Sequence, residues 1–169
     1  MRKRKITEAN VRNAVFGFED GFVSSVGALV GIAAASQSMS FVIASGLVIV
    51  MVEAFSMGVG SFLSEKSGSE LSTKKAKTRN FVINGFLMWA SYMIAGFTVL
   101  FPYVLFTQNS LAMGFSILSA LMGLFILGFI KGKVVKRNPL NSALEMTFIA
   151  GGAIILGYVI GTIGSNVVG

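Results

Sequence analysis

The sequence contains no cysteine and no histidine. Disulfides, thiolate metal sites and imidazole chemistry are therefore excluded, and cysteine usage carries no information on redox compartment. Charge is scarce as well. Only 12% of the 169 residues are charged, whereas a soluble domain carries about a quarter. No lysine falls inside an apolar segment, so no nucleophile–base pair can be assembled, and no glycine-rich phosphate loop stands beside a Lys–Ser/Thr pair. The expectation is a protein that is not an enzyme and has no prosthetic group.

What the chain has in excess is apolar residues, 54% of the total with a mean hydropathy of +0.78. They are gathered into five blocks, roughly 13–35, 41–63, 81–106, 111–130 and 143–163. Each reaches about 20 residues, enough to cross a ~30 Å hydrocarbon core as a helix. The predicted fold is an all-α membrane protein, a single domain of five transmembrane helices.

The net charge of +7 might suggest nucleic acid, but its placement argues otherwise. The fourteen Lys and Arg lie in three places: before the first block (Arg2, Lys3, Arg4, Lys5, Arg12), in the loop 64–80 (Lys66, Lys74, Lys75, Lys77, Arg79), and between blocks four and five (Lys131, Lys133, Lys136, Arg137). The loops at 36–40 and 107–110 carry none. Alternation of basic and uncharged loops is the positive-inside pattern. It sets the N-terminus in the cytoplasm and the C-terminus outside or in a lumen, and it requires an odd number of spans. A basic start followed by an apolar run resembles a signal peptide, but Glu19 and Asp20 interrupt that run, so a retained first helix is expected.

Those two acids are the anomaly. A charged side chain in lipid is costly, about 2.5 to 3.5 kcal/mol on insertion scales, and is kept where it faces protein, water or an ion. In the first block Asn13, Gly17, Asp20, Ser24, Gly27 and Gly31 recur at steps of four and three, one face of a helix. Small residues on such a stripe permit close helix packing, which accounts for the stripe but not for Asp20. Glu19 lies about 100° round the helix from it. In the second block Glu53 and Met57 share a face with Gly46, Gly60 and Ser64. Antiparallel helices place Asp20 and Met57 at one level, roughly 12 Å inside the membrane, with Glu53 a turn deeper. Glu65 and Glu70, in the polar loop, read as solvated surface. Pro102 is expected to kink or end the third helix, the fourth block reads as lipid-facing scaffold, and Gly157 and Gly161 in the fifth form a close-packing signal.

Carboxylates without basic partners suit a cation. Oxygen donors alone favour Mg²⁺, Ca²⁺ or Mn²⁺, and a thioether shifts the preference toward softer first-row ions such as Fe²⁺. Burial disfavours a charged carboxylate, and a bound metal displaces its proton, so proton–metal exchange is a natural consequence. The candidate metal ligands are Asp20, Met57 and Glu53, with Glu19 as a further candidate. A carboxylate on a small-residue face also suggests a homodimer through helix one, with the site doubled at the interface.

These residues resemble a known family. Asp20-Gly21-Phe22-Val23-Ser24 resembles the first-helix signature of the vacuolar iron transporters, and Ala54-Phe55-Ser56-Met57-Gly58-Val59-Gly60 their second-helix segment. Phe101-Pro102-Tyr103, Gly128 to Gly132, and Glu145 through Gly151-Gly152 to Gly161 resemble the later helices in order. The resemblance implies a homodimer that exports Fe²⁺, often Mn²⁺ too, from the cytoplasm in exchange for protons. It carries the transport aspartate onto Asp20 and the methionine onto Met57. Plant-type members insert a cytoplasmic metal-collecting domain between helices two and three; the connection here is about seventeen residues. The partners expected are a second copy, membrane lipid, divalent metal ions and protons, with no nucleic acid. The membrane would be a plasma membrane in a prokaryote and a vacuolar type in a eukaryote. Competing readings are a proton- or sodium-coupled exporter of another substrate, and a non-transporting membrane scaffold subunit.

Overall fold

The computed structural model describes residues 8–36, 38–72 and 78–168. Arg2, Lys3, Arg4 and Lys5 and the loop lysines Lys74, Lys75 and Lys77, which carry part of the charge pattern, lie outside the described residues. Five helices follow one another: α1 (Glu8–Ala35), α2 (Met39–Leu71), α3 (Thr78–Leu105), α4 (Asn109–Val134) and α5 (Pro139–Val168). Among the described residues there is no strand, and each helix is long and apolar enough to cross a membrane.

All five helices run further than the apolar blocks at one end of the bundle. That end holds the starts of α1, α3 and α5 and the ends of α2 and α4. Hydropathy marks where a helix leaves lipid, not where its hydrogen-bond ladder stops. The ladder continues into polar sequence as long as the end is capped. At α5, Asn138 Oδ1 accepts from the backbone N–H of Leu140 (3.0 Å) and Asn141 (3.4 Å), and Pro139 occupies the first helical position. A proline there lacks an N–H that would be unpaired anyway. At α4, Lys136 takes a left-handed conformation (φ 56°), with Arg137 N–H returning to the Gly132 carbonyl at 2.9 Å. This is a Schellman-type stop built on a lysine instead of the usual glycine. Pro102 does not end α3, which continues to Leu105. Three residues remain beyond it, and Phe106 N–H still bonds the Pro102 carbonyl at 3.0 Å.

Helix α1 is the inner element, packed most heavily on α3 and α5 and least on α2. Its small-residue stripe is used inside the chain. Gly17 and Gly21 meet α3: a Cβ on Gly21 would stand 2.8 Å from both the Tyr92 carbonyl and the Ala95 methyl. Gly27 and Gly31 meet α5, where any side chain on Gly157 or Gly161 would collide with the carbonyls of Gly27 and Gly31. The close-packing signal in α5 thus finds its partner on α1. Val26, Leu29 and Val30 of α1, Val99 and Leu100 of α3, Leu124 of α4 and Met146 of α5 are buried around this contact. The large exposed side chains, such as Val52 and Phe55 on α2 and Phe148 and Ile160 on α5, form the outer, lipid-compatible surface.

Charge is segregated. Among the described residues the extended end carries Arg12, Lys66, Arg79, Lys131, Lys133, Lys136 and Arg137, and the opposite end carries no charged side chain. That uncharged end is tied by Asn109, whose amide donates to the carbonyls of Ala33 (2.8 Å) and Ser36 (3.2 Å) at the close of α1.

Candidate metal centre

Two cross-links set the register of α1 against α2. Ser24 Oγ donates to Glu53 Oε2 at 3.1 Å. Toward the charged end, Asn13 Nδ2 donates to Glu65 Oε1 at 2.7 Å, and Ser61 Oγ donates to Asn13 Oδ1 at 2.7 Å. Between these anchors the two backbones bring Asp20 level with the Ser56–Met57 step.

Glu53 is held on two sides within the apolar bundle. Besides Ser24, the Tyr92 hydroxyl of α3 donates to the same carboxylate oxygen, and the Ser24 and Tyr92 hydroxyls lie 2.5 Å apart. Tyr92 has no exposed surface. It reaches this position because Gly21 and Gly96 let α1 and α2 close onto α3 on either side of it. Asp20 is half-buried and within electrostatic reach of both Glu53 and Glu19. Hydrogen bonds therefore group Glu53, Ser24 and Tyr92, with Asp20 one helical turn from Ser24 on α1.

Met57 opens toward the charged end instead. It lines a groove of about 490 Å³ with Asn13, Phe16, Ser61, Ser64, Glu65 and Met88. Glu19 turns to the other side of α1, where Lys131 Nζ of α4 stands 3.9 Å from Oε2. Lys131 falls within a helix only because α4 continues past its apolar block. Among the described residues no three carboxylates converge as a ready-made cage, so a cation in this chain must also draw on hydroxyl, amide or sulfur donors.

Glu65 departs from the sequence expectation of a solvated acid. Its side chain is only 14% exposed. It accepts from Asn13 and from Asn84 Nδ2 (2.6 Å), with Arg12 at 3.7 Å. Asn84 in turn accepts from Asn10 Nδ2 at 2.5 Å. The continuation of α2 carries Glu65 beneath α1 and α3 where an irregular loop would have left it in water. The available signal was Asn84, a buried amide in an apolar helix that requires a partner. Glu70 does lie on the surface, its side chain 66% exposed, 4.0 Å from Lys66 one turn away.

Comparison with known proteins adds the family. Residues 11–84 and 69–162 match the VIT family. The chain is 24% identical to vacuolar iron transporter 1 of Arabidopsis thaliana, and 22% identical to the proteins named vacuolar iron transporter 1 in Eucalyptus grandis and vacuolar iron transporter in Centaurea cyanus. Each alignment covers 82% of this chain and 80–81% of the relative. The 199 aligned positions exceed the 169 residues of the chain, so these relatives carry inserted residues. Five apolar helices and this kinship make the protein a multi-pass membrane protein. With nearly its whole length matched, the chain belongs to the VIT family.

Proposed function

We propose that this chain transports Fe²⁺, and Mn²⁺ as a second cargo, out of the cytoplasm in exchange for protons. The charged end is the cytoplasmic one on this reading, by the positive-inside rule. The observation that carries it is the Glu53 carboxylate of α2 hydrogen-bonded to Ser24 of α1 inside an apolar bundle, one helical turn along α1 from the second acid, Asp20. Two neighbouring acids in lipid repel each other unless a cation or a proton sits with them. Metal and proton compete for the same oxygens, which couples their movements. Relatives named as vacuolar iron transporters support the choice of cargo.

Asp20 and Met57 serve as metal ligands, and Glu53, steadied by Ser24 and Tyr92, as ligand or proton carrier. Glu19 adds negative charge beside Asp20. The working unit is a homodimer. The stripe of α1 is consumed inside the protomer, so the case for the dimer moves to the groove beside it. There Arg12, Ser56, Gly60 and Ser64 lie exposed between α1 and α2. Exposed small and hydroxyl side chains suit the close approach of another helix, and a second copy laid along α1 and α2 covers them and doubles the acid site.

Reconstitution in liposomes containing a metal-quenched dye and a pH dye tests this. Wild type is expected to show inward metal flux with opposite proton flux, and Asp20→Asn to abolish both. Met57→Leu is expected to slow Fe²⁺ more than Mn²⁺. Metal flux that persists in Asp20→Asn, or runs without proton movement, would overturn the proposal.

A further inference from the structure

A second groove lies on the outer surface, between α2 and α3. Glycines form its floor: a Cβ on Gly58 would stand 2.9 Å from the Trp89 Cβ, and one on Gly85 would stand 2.7 Å from the Gly58 carbonyl oxygen. The two backbones meet there, so the large side chains on either side stand up as walls. Phe55, Val59 and Phe62 line one wall and Val82, Phe86 and Trp89 the other, around a volume of about 400 Å³. Each wall runs about 10 Å along its helix axis. The Phe86 and Trp89 rings lie 5.4 Å apart, tilted by 35°, and make one continuous aromatic face. Cations stand at the mouth. Lys66 follows Phe62 by one turn of α2, and Arg79 precedes Val82 by one turn of α3. Both are exposed at the charged end. Lys66 is loosely paired with Glu70 at 4.0 Å, and among the described residues Arg79 stands in no ion pair. Residues 73–77, which join the two helices in sequence, add three lysines and no acid. We propose that this groove holds an anionic phospholipid, its phosphate between Lys66 and Arg79 and an acyl chain along the aromatic wall. Lipid binding here is independent of which ion the protein carries.

The charge at the mouth selects the occupant. An apolar slot by itself takes any acyl chain. Basic groups at the headgroup level favour a negatively charged lipid, through an attraction that decays within a Debye length of the surface. The Arg79 guanidinium offers a forked donor that matches phosphate oxygens, and the Lys66 ammonium adds a point charge. Phe62 and Trp89 are half-buried where the helices touch, so the slot is largely formed before a lipid enters. A second copy of the chain fits this face less well. A two-fold axis along the membrane normal would set each basic mouth beside its counterpart, and like charges brought together oppose association.

Trp89 is the only tryptophan in the sequence, so the groove carries its own reporter. The protein is reconstituted in phosphatidylcholine vesicles that contain a small fraction of phosphatidylglycerol brominated on its acyl chains, or the same fraction of equally brominated phosphatidylcholine. Bromine quenches indole fluorescence on contact. The brominated phosphatidylglycerol is expected to quench Trp89 at about tenfold lower mole fraction. That preference is expected to fall to near parity in Lys66→Gln/Arg79→Gln, and to fall likewise for wild type in about 1 M salt. It is expected to survive in Lys133→Gln/Arg137→Gln, which removes cations around the end of α4. Circular dichroism checks the fold of each variant. If the Lys66→Gln/Arg79→Gln protein fails to fold, Arg79→Gln alone and the salt series decide, each with a several-fold loss of preference expected. Equal quenching by the two lipids in wild type, a preference unmoved by salt or by the mouth variants, or an equal loss in Lys133→Gln/Arg137→Gln would each overturn the proposal. Weak quenching by both lipids would overturn it too, because a second copy or another protein would then cover the groove.

Discussion

Tyr92 of α3 donates its hydroxyl to the Glu53 carboxylate of α2, and the pair is closed by Ser24 of α1. Three helices therefore meet on one acid. A hydrogen bond to a charged group contributes about 1.5 to 3 kcal/mol, and its loss in a buried setting exposes the desolvation cost of what remains. Tyr92→Phe is expected to destabilise the protein by about that amount in denaturant unfolding. The loss should shrink when Glu53→Gln is added, because a neutral amide needs the donor less. Equal losses in both backgrounds would show that the tyrosine acts through packing alone.

The α1–α5 contact makes a sharper stability prediction. Gly161→Ala drives a methyl group into the Gly31 carbonyl, whereas Gly114→Ala on α4 meets open space. Overpacking costs about 1 to 3 kcal/mol, and alanine in an exposed helix gains up to about 1 kcal/mol over glycine. The two variants should thus move the unfolding midpoint in opposite directions. A neutral Gly161→Ala would mean that α5 docks elsewhere.

Glu19 is either a ligand or a partner of Lys131, and the two roles separate in a double-mutant cycle. With both side chains partly exposed at 3.9 Å, the pair should show a coupling of at most about 1 kcal/mol. If pairing is its role, Glu19→Gln and Lys131→Met should each slow transport modestly, and together no more than the worse single change. A large loss in Glu19→Gln that is independent of Lys131 would place Glu19 on the metal.

Lys136 is the one non-glycine residue with positive φ among those described. A left-handed conformation costs an L-residue about 1 to 2 kcal/mol, and glycine gives back about 0.5 to 1 through its freer unfolded chain. Lys136→Gly should therefore stabilise the protein by roughly 0.5 to 1 kcal/mol, visible as a raised melting temperature in detergent. A lowered one would mean that the lysine charge outweighs the backbone strain.

The amino-acid sequence by itself determined the number of helices and the segregation of charge. Both follow from a solvent rule: lipid demands about 20 apolar residues per crossing and drives basic groups to one side. It also singled out Asp20 and Glu53, because an acid in an apolar run is visible without coordinates. Local sequence could not say which way a helix face turns. The stripe on α1 was compatible with a partner chain, and only the packing showed it divided between α3 and α5. The same holds for the polar residues. Glu65 looked solvated until α2 was seen to continue beneath α1 and α3, and Tyr92 was one aromatic among many until it met Glu53. Hydrogen bonds between side chains on different helices depend on the angles at which whole helices cross. Those angles come from glycine contacts summed over the bundle, so the tertiary structure alone decided which polar side chains share a site.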